Sequence, residues 1–110
     1  GPFLQAALDR NPVVVEKTQA LSDEELIETL ANIANESVYD GSRVAQPDEV
    51  WNFQRGDGVE RAIALADVWK KRHPETPITL RCEEAKVTLQ LGTRAIRFES
   101  RKGLIQEVAF

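Results

Sequence analysis

The clearest pattern in the chain is a stripe of apolar residues at helical spacing that follows Leu21. The members of the stripe recur three and four positions apart and are Leu26, Ile27, Leu30, Ile33 and Ala34. Such spacing places them on one face of an amphipathic helix. Ser22 and Glu25 stand at the spacing of a capping box, which marks a helix start. The sequence therefore predicts a helix over 23–35.

A second, more apolar helix is predicted over 58–72. Its apolar residues cover more than one face, which is typical of a helix buried in a core. They are Val59, Ala62, Ile63, Leu65, Ala66, Val68 and Trp69. Asp57 is suited to cap the start of this helix, and Pro74 is suited to end it. A short helix with Pro47 at its first position is predicted just before, in the segment AQPDEVWNF.

The period of the pattern changes from helical to alternating in the last third of the chain. Three runs there place apolar residues at every second position: Ile78, Leu80 and Cys82; Val87, Leu89 and Leu91; and Ile96 with Phe98. Short turns separate the runs, so they predict a three-stranded antiparallel meander whose apolar face packs on the helix at 58–72. The last segment, LIQEVAF, is interpreted as a short C-terminal helix.

The segment 3–21 is the ambiguous part of the chain. Asn11 and Pro12 suit a helix start, whereas the β-branched run Val13-Val14-Val15 suits a strand, and the helix is favoured. Helices followed by an antiparallel sheet on a buried central helix give the fold class α+β.

Length and charge limit what the chain can be. A length of 110 residues fits a single domain, 1–110, that buries about two thirds of its unfolded surface. Gly1-Pro2 is typical of the remnant of a cleaved tag, so we expect a domain excised from a larger protein. The net charge of −4 and the lack of a basic stripe argue against nucleic acid as a partner.

Several other classes of site are excluded by composition. No apolar run approaches the roughly 20 residues of a membrane span, and no signal peptide pattern opens the chain, which slightly favours the cytoplasm. One cysteine, Cys82, and one histidine, His73, cannot form a multi-cysteine or histidine-cluster metal site. We therefore expect no metal and no cofactor. Cys82 falls on the apolar register of its strand and is interpreted as a core residue.

The turn Arg55-Gly56-Asp57-Gly58 leads directly into the buried helix and raises the main functional question. Arg55-Gly56-Asp57 matches the tripeptide that integrins bind, but Asp57 is better explained as a helix cap. A phosphate site at the helix start is disfavoured, because the Asp57 carboxylate would lie where the anion binds.

The same turn, followed by the meander, resembles the core of the transglutaminase-like cysteine peptidase superfamily. The resemblance covers residues 54–99, through RGDGVERAIALADVW for the nucleophile helix and AKVTLQL and AIRFES for the later strands. It implies that a nucleophilic cysteine would stand at the first helical position, with a histidine and an aspartate on the strands. Here Gly58 occupies the cysteine position, neither strand contains histidine, and Glu99 is a loose substitute for the acid.

Two functional hypotheses follow. The first is a non-catalytic interaction or accessory domain, an inactive relative on a transglutaminase-like scaffold, whose partner is another protein or the rest of its own parent chain. Its candidate binding surface is Trp51, Phe53, Arg55, Asp57 and Gly58. The second is a small hydrolase or cysteine-dependent enzyme with an unrecognised site. The first is favoured because no set of base, nucleophile and orienting group is recognisable.

Overall fold

The fold is α+β, as the sequence predicts, in a computed structural model that describes residues 12–37, 39 and 44–110. Within these residues four helices precede a four-stranded antiparallel sheet. The helices are α1 (Pro12–Lys17), α2 (Asp23–Ala31), α3 (Pro47–Phe53) and α4 (Gly58–Arg72). The strands are β1 (Ile78–Glu83), β2 (Lys86–Leu91), β3 (Arg94–Glu99) and β4 (Ile105–Ala109). No helix of the described residues is long and apolar enough to cross a bilayer.

Helix α4 is the centre of the core. Every residue from Gly58 to Trp69 is buried, which confirms the prediction that this is the most enclosed helix. One face of the sheet packs on α4 through the alternating residues Leu80, Leu89 and Phe98. The same pattern explains why Cys82 is only 2% exposed: it lies on the inner register of β1. Its prediction as a core residue is confirmed.

The C-terminal segment forms a strand, so the predicted short helix is wrong and the sheet has four strands instead of three. Strand β4 pairs with β1 and not with β3, which gives the order β3-β2-β1-β4. A short apolar run fits the helical and the alternating period equally well. Whether it becomes a helix or a strand therefore depends on whether a neighbouring strand is available to pair with it. Here Val108 lies opposite Leu80 on the inner face and completes the apolar layer of the sheet.

Helix α2 ends at Ala31, four residues before the predicted end at 35. The Ala34 carbonyl accepts hydrogen bonds from the backbone N–H groups of Gly56 (3.0 Å) and Glu36 (2.8 Å), and Ala34 forms a parallel bridge with Arg55. Ile33 is nevertheless buried. Its place in the apolar pattern reflects packing of the turn after α2, and not a continuation of the helix. The predicted capping box of Ser22 and Glu25 is present.

The ambiguous N-terminal segment is helical over Pro12–Lys17, with Pro12 at its first position, so the favoured alternative is confirmed there. Residues 3–11 of the predicted segment lie outside the described residues. The start of α1 is capped from α3, because the Asp48 carboxylate accepts from the N–H groups of Val13 (3.1 Å) and Val14 (2.8 Å). A β-branched run thus becomes a helix with the help of a distant side chain.

A charged cluster joins the start of α2 to the end of α4. The Asp23 carboxylate lies 2.9 Å from His73 Nε2 and 3.2 Å from an Arg72 guanidinium nitrogen. Burial by itself raises the pKa of Asp23, but the hydrogen bonds and charges of His73 and Arg72 together outweigh burial and lower that pKa. The cluster therefore stabilises the fold while Asp23 is ionised.

We expect Asp23→Asn to reduce the free energy of unfolding at pH 5.5 by up to about 1 kcal/mol, the usual size for a partly exposed ion pair. A lowered folded pKa gives stability that is present above the unfolded pKa and is lost as pH falls through the folded value. The difference in free energy of unfolding between wild type and variant should therefore disappear below about pH 4. Urea unfolding followed by tryptophan fluorescence at pH 5.5 and pH 2.5 measures it, and a difference that persists at pH 2.5 contradicts the assignment.

Candidate functional site

Asp57 is the central residue of the turn that leads into α4. Its side chain is 3% exposed and accepts hydrogen bonds from Val59 N (3.0 Å), Ser100 Oγ (2.5 Å) and Arg101 N (2.7 Å). The first of these is the predicted helix cap, which is confirmed. The other two hydrogen bonds connect the turn that follows β3 to the start of α4. A carboxylate so enclosed is out of reach of a receptor that binds the Arg-Gly-Asp tripeptide on an exposed loop.

Glu60 is the second buried carboxylate of the turn. It is 0% exposed and completes the capping box by accepting from Asp57 N at 2.7 Å. Its other oxygen accepts from Ala45 N at 2.5 Å and from Ser37 Oγ at 3.1 Å. The Glu60 side chain therefore connects the start of α4 to residues 37 and 45, which lie between α2 and α3.

Arg61 is a buried cation beside these two carboxylates. Its guanidinium group donates to the carbonyls of Gly56 (3.0 Å) and Ala31 (2.7 Å), and it lies 5.3 Å from the centre of the Phe98 ring. Burial lowers the pKa of Arg61, while the charge of Asp57 raises it. Arg61 therefore offsets one of the two negative charges and joins α2, the glycine turn and β3.

Gly58 lies directly against the end of β3. A Cβ atom added to it would be 2.0 Å from the carbonyl oxygen of Glu99 and 2.9 Å from Cβ of Phe98. Real Cβ contacts do not occur at such distances, and the closest neighbour is backbone, which cannot rotate away. Position 58 in this packing has no room for the side chain of a nucleophile.

A shallow depression of about 210 Å³ adjoins the buried cluster. Asn35, Tyr39 and Arg101 are among the residues that line it, together with the edge of Asp57. Lys102 crosses beneath it and donates to the Tyr39 carbonyl at 2.8 Å, and the Tyr39 hydroxyl donates to Glu49. The polar groups at this end of α4 are thus largely occupied by one another.

The five predicted surface residues fall into two groups. Asp57 and Gly58 are buried. Phe53 is 57% exposed at the end of α3, and Trp51 is half-buried against the core. The Arg55 side chain is 41% exposed and pairs with Glu36 at 3.5 Å. The accessible part of the predicted surface therefore consists of Phe53, Arg55 and the open edge of Trp51.

Two residues outside this turn, His73 and Cys82, have side chains with catalytic potential. His73 follows the last residue of α4, about 22 Å along the helix axis from Gly58, and contacts Asp23. Burial, with a smaller effect of the Asp57 charge, raises the pKa of the Cys82 thiol. His73 is therefore too distant to act on an atom bound at the start of α4, and the buried Cys82 thiol forms little of the reactive thiolate.

No protein-family model, curated protein or solved structure matches this chain. Within the described residues, no three histidine, cysteine, aspartate or glutamate side chains cluster so that they could hold a metal ion.

Sequence reasoning missed the partners of the buried carboxylates. Asp57 and Glu60 carry a recognisable signal, since an acid followed three positions later by glutamate is the spacing of a capping box. Their partners Ser100 and Arg101 carry none, because they are 43 and 44 positions from Asp57. Only the approach of β3 to α4 brings them to the turn.

The Cys82 thiol should be unreactive in the folded protein. At pH 7.5 we expect a chromogenic disulfide reagent to modify it at least about a hundredfold more slowly than in 6 M guanidinium chloride, because a buried thiol with a raised pKa forms little thiolate. Fast stoichiometric modification of the folded protein would contradict this expectation and favour the cysteine-dependent enzyme.

Proposed function

We propose that this chain is a non-catalytic interaction domain that binds a protein partner through the exposed end of α3. The surface consists of Phe53, Arg55 and the open edge of Trp51. Phe53 carries the proposal: it is one of two large apolar side chains in the described part of the chain that are mainly exposed. An exposed aromatic side chain two positions from a partly exposed arginine has the composition of an interface anchor, because such residues supply much of the binding energy in protein complexes.

The backbone holds this surface in a fixed conformation. Gln54 adopts a left-handed conformation with φ 54°, which ends α3 immediately after Phe53. Arg55 then forms the parallel bridge with Ala34, and its side chain meets Glu36. A surface whose backbone is ordered before binding loses less conformational entropy when a partner docks.

The proposal includes an inactive transglutaminase-like scaffold. Two observations support it: the glycine turn opens a buried helix that meets the third strand at Glu99, and position 58 is filled by that contact. Asp57 and Glu60 accept hydrogen bonds from the protein itself, so they act in structure and not in proton transfer. The chain would then use the scaffold to present α3 instead of to perform chemistry.

Site-specific photo-crosslinking tests the interaction. A benzophenone amino acid is placed at position 53 or, as a control, at the exposed position 71 in α4. In cells that produce the protein naturally, we expect one discrete adduct from position 53 and none from position 71. Excess unlabelled chain should compete with the adduct, whereas excess Arg55→Glu chain should not. Equal adducts from both positions, or no adduct from position 53, would overturn the proposal.

A further inference from the structure

Within the described residues no helix covers the face of the sheet opposite α4, and this second surface is here called the outer face. The strand register arranges its side chains in rows across β3, β2, β1 and β4. The first row is Glu99, Lys86, Glu83 and Ile105. The second row is Arg97, Thr88, Arg81 and Glu107. All of these side chains except that of Thr88 are classed as exposed, and Ile105 is 75% exposed.

Two adjoining depressions border this face, and the larger one also reaches Val87 and Phe98 of the inner register. Their volumes are about 550 Å³ and about 260 Å³, and Thr88 lines both. The short Thr88 side chain lies between those of Arg97 and Arg81 in the second row. The long side chains of another surface could enter the depressions.

The charges of the outer face are balanced but only partly paired. Three carboxylates face three cations, so the face is neutral although the chain carries −4. Arg81 contacts both Glu107 (3.1 Å) and Glu83 (3.8 Å). Lys86 and Arg97 form no ion pair within the described residues, and both line the larger depression. Two cations are therefore available to a partner.

The arrangement of the charges is complementary to itself. Rotation by 180° about an axis parallel to the strands, between β1 and β2, places each row over the same row of a second copy in reverse order. Lys86 then faces Glu83 of the second copy, and Arg97 faces its Glu107. Because the operation is a twofold rotation, each contact occurs twice. Rotation about the perpendicular axis through the second row would place the first row over the row of Ala95, Gln90 and Thr79, and would place Arg97 and Arg81 over their own copies, with no such pairing.

We propose that the outer face is a homodimer interface in which two sheets pack face to face about this axis. Neither the α3 surface nor the absence of catalysis is needed for this proposal. From strand spacing and rise the face measures roughly 19 by 17 Å, which is small for a stable complex. The dimer is accordingly weak and salt-dependent, and its orientation is selected by the four ion pairs.

Charge exchange tests both the interface and its register. Lys86→Glu with Glu83→Lys exchanges two residues that face each other in the dimer, whereas Lys86→Glu with Glu107→Lys exchanges two that do not. Both double variants keep the net charge of −4 and change exposed residues, and circular dichroism checks that each is folded. Sedimentation velocity of the full chain from about 10 µM to 1 mM in 50 mM salt measures dimerisation in the weak range expected for a small interface.

We expect wild type and the facing exchange to dimerise with similar constants, and the non-facing exchange to dimerise at least about tenfold more weakly, since like charges then meet across the axis. An equivalent facing exchange, Arg97→Glu with Glu107→Lys, should also dimerise. A monomeric wild type at 1 mM overturns the proposal, and so does equal dimerisation of the non-facing exchange.

Discussion

Gly58→Ala should destabilise the fold by about 3 kcal/mol, although alanine in place of a helical glycine usually stabilises by about 1 kcal/mol. The sign reverses because the added Cβ would lie 2.0 Å from the carbonyl oxygen of Glu99. Either α4 or the end of β3 must move, and both carry buried core residues. Urea unfolding followed by tryptophan fluorescence should show a midpoint lower by at least about 1 M, given the usual denaturant dependence.

Gly103→Ala provides the matched control for this substitution. Gly103 has φ +67°, and an added Cβ would meet nothing within 4 Å. Its cost is therefore the strain of a left-handed alanine, about 1 kcal/mol. A Gly58→Ala variant as stable as wild type would mean that α4 does not begin against β3. Gly58→Cys should be at least as destabilised as Gly58→Ala, so this substitution should not produce an active cysteine enzyme.

Asp57→Ala should cost about 3 kcal/mol, which is more than the loss of a helix cap alone. Truncation removes the cap of α4, worth about 1 kcal/mol. It also leaves the buried Ser100 Oγ and the partly buried Arg101 N without their acceptor, which costs about a further 1–3 kcal/mol by the usual range. The free energy of unfolding from urea titration at pH 7 measures the effect.

Ser22→Ala is the matched control for Asp57→Ala, because both residues cap a helix within a capping box. Ser22 is exposed and contacts only its own helix, so we expect its loss to cost about 1 kcal/mol. If the two substitutions cost the same, the contacts of Asp57 with Ser100 and Arg101 contribute little. The loss of unfolding free energy in Asp57→Asn should lie between those of Ser22→Ala and Asp57→Ala, since the amide NH₂ of asparagine replaces one acceptor oxygen beside these donors.

The helical part of the fold was predictable because its signals are local. The spacing of Leu26 and Leu30, the cap at Asp57 and the stop at Pro74 each depend on residues within one or two turns. The alternation of β1 to β3 is equally local, and it predicted which residues face α4. Strand β4 was mistaken for a helix because seven residues are too few to separate the two periods.

The candidate site was predictable only in part. The sequence indicates that Asp57 caps a helix, and that neither an acid-base pair nor a metal cluster is recognisable. It does not indicate that Asp57 and Gly58 lie inside the protein while Phe53 remains outside. That difference depends on β3 ending at Glu99 beside the start of α4, a contact between residues 41 positions apart.

The sequence by itself determined the α+β class, the buried character of α4 and the inner register of three strands, because each follows from the period of apolar residues along a continuous segment. Tertiary structure alone decided that β4 pairs with β1, that Asp48 caps α1, and that Ser100 and Arg101 donate to the Asp57 carboxylate. Those contacts join groups far apart in the chain. Their energies depend on distance and burial, which no local pattern of residues encodes.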